Sequence, residues 1–314
     1  MSAEPQASAA APYLERRRAR SIFLELRGLR LHLLVWGDAA LASEARPSLL
    51  MLHGWMDVGA SFQFVVDAFA TDRHIVALDW RGFGQSDRSG ADSYWFPDYL
   101  GDLDAIVDSL SARGELSPAI DLLGHSMGGN VAMFYAGIRP QRIRRLINLE
   151  GFGLPATEPG QAPGRYAKWL DELKQPPGLR RYDSLDAVAE RLRKTNPRLP
   201  PQRAAWLAGH WARQAADGLW DILGDPAHRR VNPVLYRRDE ALACWAAISA
   251  PLLWVEGALT DMKRFWGERY PRSDFESRLA VVPQVEREVI ADAGHMLHHD
   301  QPRALAERIE RFIG

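Results

Sequence analysis

Gly124-His125-Ser126-Met127-Gly128 constrains this chain more than any other stretch, because of what lies on either side of it. Ala119-Ile120-Asp121-Leu122-Leu123 reads as a short buried strand, and Gly129-Asn130-Val131-Ala132-Met133-Phe134-Tyr135-Ala136 reads as a helix. A strand that enters a helix through G-x-S-x-G turns so sharply that its serine is held in a strained backbone conformation. Glycines flank it where larger side chains would collide with neighbouring elements. The turn leaves the Ser126 hydroxyl exposed at a helix N-terminus, whose amides stabilise negative charge.

A serine hydroxyl is a weak nucleophile at neutral pH and needs a base. Gly294-His295-Met296 follows the apolar strand Glu288-Val289-Ile290 and precedes a helix over Pro302–Ile313, so His295 falls on a loop at a strand end. It is the expected general base and acid; His298 and His299 are rivals, read otherwise as surface or helix-start histidines. For the acid that orients the imidazole, Asp261 is favoured, on the loop after the strand Leu252–Gly257. Glu150 is the alternative, ending the strand Leu146-Ile147-Asn148-Leu149. Donors for a developing oxyanion are expected from the backbone N–H of Trp55, after the strand Ser48–Leu52, and of Met127. His53 and His125 flank glycines at tight turns, where an imidazole bonding backbone is the expectation.

Ile22–Leu26 and Leu31–Trp36 alternate like antiparallel strands, and further short apolar strands recur near 75–79, 119–123 and 145–149 with helical stretches between. That rhythm predicts an α/β fold with a mostly parallel, eight-stranded sheet and helices on both faces, its site at the C-terminal strand ends. The rhythm breaks over residues 152–247, where helices are expected over Gly164–Leu173, Ser184–Lys194 and Pro201–Ala216. This segment reads as a helical cap inserted into a core of residues 21–151 and 248–314, with 1–20 a disordered tail. Trp169, Trp206, Trp211, Trp220, Tyr236 and Trp245 concentrate aromatic surface there. Most are expected to pack the cap onto the core, and two or three to line an apolar acyl pocket.

Leu52-His53-Gly54-Trp55, the run Ala77-Leu78-Asp79-Trp80-Arg81-Gly82-Phe83-Gly84-Gln85-Ser86-Asp87, the serine turn and Gly294-His295 together resemble the α/β-hydrolase superfamily, over roughly residues 22 to 314. The second block resembles that family's D-x-R-G-x-G-x-S turn, which is structural. His53-Gly54-Trp55-Met56-Asp57 with Leu149-Glu150-Gly151-Phe152-Gly153 is similar to the serine hydrolase-like group. Relatives such as epoxide hydrolases and haloalkane dehalogenases place an aspartate at the elbow, and Ser126 departs from both. The family's usual acid lies three residues past a glycine, whereas Asp261 is four past Gly257, which keeps Glu150 in play.

The resemblance implies a capped serine hydrolase acting on a small to medium, largely uncharged ester through an acyl-enzyme, with no cofactor. Thioester, lactone, amide or carbon–carbon cleavage would use the same parts. Cofactor-free oxygenation and ligand binding without turnover are the alternatives. A formal net charge of −1 gives no nucleic-acid footprint, and Arg16-Arg17-Arg18 reads as a solvated run. No apolar run reaches membrane-spanning length and no signal-peptide core is present, so a cytoplasmic monomer or homodimer with a small apolar acyl substrate and no membrane partner is expected. Cys244, the only cysteine, excludes an intrachain disulfide and reads as a buried structural thiol. No metal motif is present: in His298-His299-Asp300 adjacent side chains are expected to diverge.

Overall fold

In the computed structural model, which describes residues 11–175 and 178–314, ten strands form two sheets. They are β1 (Arg20–Leu26), β2 (Leu29–Trp36), β3 (Leu49–Leu52), β4 (Ile75–Leu78), β5 (Ile120–His125), β6 (Ile143–Leu149), β7 (Ala212–Gln214), β8 (Trp220–Ile222), β9 (Leu252–Gly257) and β10 (Val285–Ile290). Eight of them make the main sheet, in the order β1-β2-β4-β3-β5-β6-β9-β10. β2 runs antiparallel to β1 and β4, and every other pairing is parallel.

Alternation along each strand divides the core. Leu50, Leu52, Val76, Leu78 and Leu122 face one apolar layer, while Leu49, Met51, Ile75, Ala77 and Leu123 face the other. Of the helices, α1 (Gln63–Ala68) packs on the second layer, and α2 (Phe96–Ala112) and α3 (Met127–Ile138) on the first. The insertion contributes α4 (Ala162–Lys174), α5 (Leu185–Thr195), α6 (Pro201–Trp211) and α7 (Arg238–Ala246). After β9 come α8 (Met262–Trp266), α9 (Arg272–Leu279), α10 (Leu297–Asp300) and α11 (Pro302–Ile313). α11 covers the second layer with Leu305, Ile309 and Phe312, spaced to form one stripe.

Several expectations need correction. The helix expected over Pro201–Ala216 ends at Trp211, because Ala212–Gln214 pairs with Trp220–Ile222 as a small hairpin. α7 packs against α3 of the core: Gly137 lies so close to α7 that a Cβ there would meet the Cys244 carbonyl at 1.9 Å. Residues 1–10 lie outside the described residues, but 11–19 are packed chain rather than loose tail. Tyr13 bonds Asp67 and stacks edge-on with Phe64 and Trp206. Nor is Arg17 merely solvated: its side chain is 14 % exposed and pairs with Asp72 at 2.9 Å. Cys244 is half-buried, not buried. Among the described residues, no helix is long and apolar enough to cross a membrane.

Candidate active site

The turn at Ser126 explains its glycines. Ser126 has φ 51° and ψ −114°, and its N–H donates to the Leu149 carbonyl at 2.8 Å, tying the turn to the end of β6. A Cβ on Gly124 would meet the Gly128 carbonyl oxygen at 2.3 Å, and one on Gly128 would meet the Leu52 carbonyl oxygen at 2.2 Å. Larger residues are excluded by backbone, which cannot move aside. Met127 opens α3, where its N–H has no intrahelical acceptor. Trp55 lies on the turn after β3, and both residues line the same cavity as Ser126.

His295 Nε2 is 3.0 Å from Ser126 Oγ, and His295 Nδ1 is 2.6 Å from Glu150 Oε2. A carboxylate can only accept here, so Nδ1 carries the proton and Nε2 presents its lone pair to the hydroxyl. Glu150 is 1 % exposed. Its other oxygen accepts from the Gly257 N–H at 2.7 Å and from Thr260 Oγ1 at 2.6 Å. Glu150 itself has φ 56°, at a turn that Asn148 closes by accepting from the Gly151 N–H at 2.7 Å. The sequence expectation for the acid is therefore corrected. Asp261 is exposed and accepts from the Lys263 N–H at 2.9 Å, capping α8. The loop after β9 does serve the site, but by donating to Glu150 rather than by supplying the carboxylate. Thr260 and Asn148 were not singled out from sequence; an asparagine inside the apolar strand Leu146–Leu149 was the available signal.

The other histidines are structural or apart. His53 Nδ1 donates to the Gly54 carbonyl at 2.7 Å and Nε2 accepts from the Trp80 N–H at 3.0 Å. His125 Nε2 donates to the His295 carbonyl at 2.8 Å, which holds the His295 loop to the strand that leads into Ser126. Burial pushes both imidazoles below the usual histidine range, so both stay neutral. His298 and His299 start α10 but are buried, not on the surface, and neither bonds Ser126. Their side chains do not diverge as expected of neighbours: both converge on Asp57. Asp300 instead accepts from the Gly294 N–H at 2.9 Å and from Asn196 at 2.7 Å. Asp79, in the turn read as structural, accepts from the N–H groups of Gly59 and Gln85 and bonds His32 Nδ1 at 2.7 Å.

Above Ser126 lies a cavity of about 810 Å³, walled by core loops on one side and by Tyr182, Leu192, Leu199 and Trp211 of the insertion on the other. Of the six aromatics expected in the insertion, Trp211 alone lines it. Trp245 and Tyr236 are buried in the core, and Trp206 packs on Phe64 and Tyr13. Most of the aromatic lining comes from outside the insertion, including Tyr94, Trp95, Tyr99, Phe265 and Trp266.

A carboxylate–imidazole–serine chain on an eight-stranded sheet, with the serine on a strained strand-to-helix turn, defines the class. The family model for the alpha/beta hydrolase fold matches residues 47–302, and this chain belongs to that family. It is similar to a serine hydrolase-like protein of Danio rerio, 27 % identical over 92 % of this chain and 85 % of that protein. An Escherichia coli esterase, YbfF, is 26 % identical over 84 % of this chain and 92 % of its own length. Among solved structures, a thioesterase domain from the curacin biosynthetic pathway superposes with TM-score 0.78 at 26 % identity, covering 93 % of this chain and 99 % of that one.

Proposed function

We propose that this protein is a serine hydrolase that cleaves small to medium, largely uncharged carboxylic esters through an acyl-enzyme, without a cofactor. The hydrogen-bonded chain Ser126–His295–Glu150 at the floor of a largely apolar cavity carries the reading. His295 Nε2 takes the hydroxyl proton as Ser126 Oγ attacks the ester carbonyl, while Glu150 holds Nδ1–H and stabilises the imidazolium. The amides of Trp55 and Met127 face the oxyanion. His295 then returns the proton to the departing alkoxide, and a water activated by the same imidazole releases the acid from Ser126. The partner is a small apolar acyl substrate met by a monomer or homodimer in the cytoplasm, not a nucleic acid or a membrane.

The kinship with an esterase and the fit to a thioesterase fold favour acyl transfer over the other chemistries of this scaffold. The decisive experiment is release of p-nitrophenol from acetyl, butyryl and octanoyl esters by the wild type and by Ser126→Ala. Saturable turnover that vanishes in the variant is expected, and its chain-length trend sizes the cavity. Equal activity in both proteins, or none in either, overturns the ester reading and turns the search to carbon–carbon cleavage, oxygen-dependent chemistry or binding without turnover.

A further inference from the structure

Beside His125, three buried side chains from two distant parts of the chain meet. Asp57 is 3 % exposed, His298 0 % and His299 3 %. One ligand atom from each lies within 4.8 Å of the others, and His298 Nε2 is 3.7 Å from Asp57 Oδ2, beyond hydrogen-bond reach. Asp57 Oδ2 and both ring nitrogens of His298 have no hydrogen-bond partner among the described residues. Buried polar atoms without partners are costly, and several at one spot offer free donors and acceptors to whatever binds there.

We propose that Asp57, His298 and His299 form a binding site for a divalent transition ion of the zinc type. Two imidazoles and one carboxylate are the donor set such an ion prefers, and four-coordinate zinc holds its ligands at about 2.0–2.2 Å. The surroundings are those of a metal ligand rather than of a loose carboxylate. Ser61 Oγ donates to Asp57 Oδ1 at 2.7 Å and bonds His299 Nε2 at 2.6 Å, and Trp211 Nε1 donates to Asp57 Oδ1 at 3.1 Å. These bonds fix one carboxylate oxygen and leave Oδ2 turned toward His298, as outer contacts orient ligands in metal sites. Asp57 and His299 also line the active-site cavity, which gives an ion its route and a water its place in the fourth position. Asp57 lies two residues after Trp55, and His298 three after His295. A bound ion therefore straps the oxyanion loop to the loop of the base. His125 reports on both, with its ring 4.4 Å from that of His298 and 4.9 Å from that of His295.

The test titrates Co²⁺ into the full chain after dialysis against a chelator, following visible absorption, with Zn²⁺ as competitor. One equivalent of Co²⁺ with the intense bands of four-coordinate geometry, displaced by Zn²⁺, is expected. His298→Phe, which suits the ring contact with Phe62, and Asp57→Asn should weaken binding at least about tenfold, while His295→Ala retains it. Circular dichroism of the metal-free variants identifies any that fail to fold, and the wild-type and His295→Ala titrations decide the matter without them. A faint spectrum of the hydrated ion in the wild type overturns the site. So does full binding in folded His298→Phe, and so does loss in His295→Ala, which would put the ion on the Ser126–His295 pair instead.

Discussion

Two neighbouring strands end in acidic side chains, and the two have opposite fates. After β6, Glu150 is buried and receives bonds from Gly257, Thr260 and His295. After β9, Asp261 faces solvent and caps a short helix. Both were legible as strand-end acids. What separates them is orientation: Glu150 sits at positive φ, a turn that throws its side chain back across the sheet end toward β9 and His295. The loop after β9 turns tightly instead, with Thr260 N–H bonded to the Gly257 carbonyl and Leu259 N–H to that of Ala293, and so presents Thr260 inward and Asp261 outward. An acid serves a base only where it is desolvated, aimed and held by other donors. Being near the right strand is not enough.

Replacing each acid by its amide breaks this comparison most directly. Glu150→Gln keeps the shape but removes the charge that stabilises the imidazolium and fixes its tautomer. We expect kcat/KM on a p-nitrophenyl ester to fall by roughly 10³–10⁴-fold, with little change in KM. A loss under tenfold would remove Glu150 from the triad.

The same rule, that burial and partners set a side chain's state, extends to His228 on the far wall of the cavity. Its Nε2 donates to the Arg81 carbonyl at 3.1 Å, its Nδ1 accepts from Tyr99 at 3.1 Å, and its ring stacks between Phe83 and Tyr94. Burial pushes its pKa down to about 3. The unfolded chain therefore takes up this proton first as pH falls. The stability tied to a neutral His228 is whole above about pH 6.5 and is lost progressively toward pH 3. By pH 4.5 the loss is on the order of 3 kcal/mol. Urea unfolding at pH 7 and 4.5 should show a drop shallower by about that amount in His228→Gln; equal drops in both proteins would contradict a neutral, buried ring.

Thr260→Val sharpens the contrast from the β9 side. It removes one of the donors on Glu150 Oε1 while leaving the Gly257 N–H in place. A charge-assisted bond of this kind sets the carboxylate's aim, so kcat/KM should fall by about tenfold, in kcat rather than KM. Thr260→Ser should restore most of it, because the hydroxyl returns; failure of that rescue would assign the loss to packing.

How much of this was readable in the residues depends on whether a feature is local. The elbow was, because Gly124, Ser126 and Gly128 lie within one turn and their glycines answer to backbone a few residues away or in the adjoining strand. His295 was also readable, from a glycine-histidine pair after a strand and before an apolar helix. The choice of acid was not, since it depends on a positive φ at residue 150 and a hydroxyl 110 residues later. The cavity's aromatic lining escaped for the same reason. Tryptophans of the insertion were visible as a group, but Trp245 and Tyr236 bury themselves in the core, while Tyr94 and Trp95 reach the cavity from the loop before α2 and Phe265 from α8. Asp57 and the pair His298-His299 lie some 240 residues apart, and only the fold brings them together.

The smallest expected effect is the most discriminating one. Asp261→Asn keeps a good N-cap, because an asparagine side chain accepts from the same Lys263 N–H, and removes only an exposed charge. Activity should stay within about twofold of wild type and stability within about 0.5 kcal/mol. Asp261→Ala also loses the cap, at a cost of about 1 kcal/mol or less, lowering Tm by about 2 °C with activity still near wild type. Read beside Glu150→Gln on the same substrate, these variants test the assignment from both ends. If Asp261→Asn instead cost about a hundredfold in kcat, the loop after β9 would have to turn over during catalysis and bring its carboxylate inward, with Glu150 serving only to hold it. The opposite fates of the two acids would then describe one state of the loop and not the chemistry.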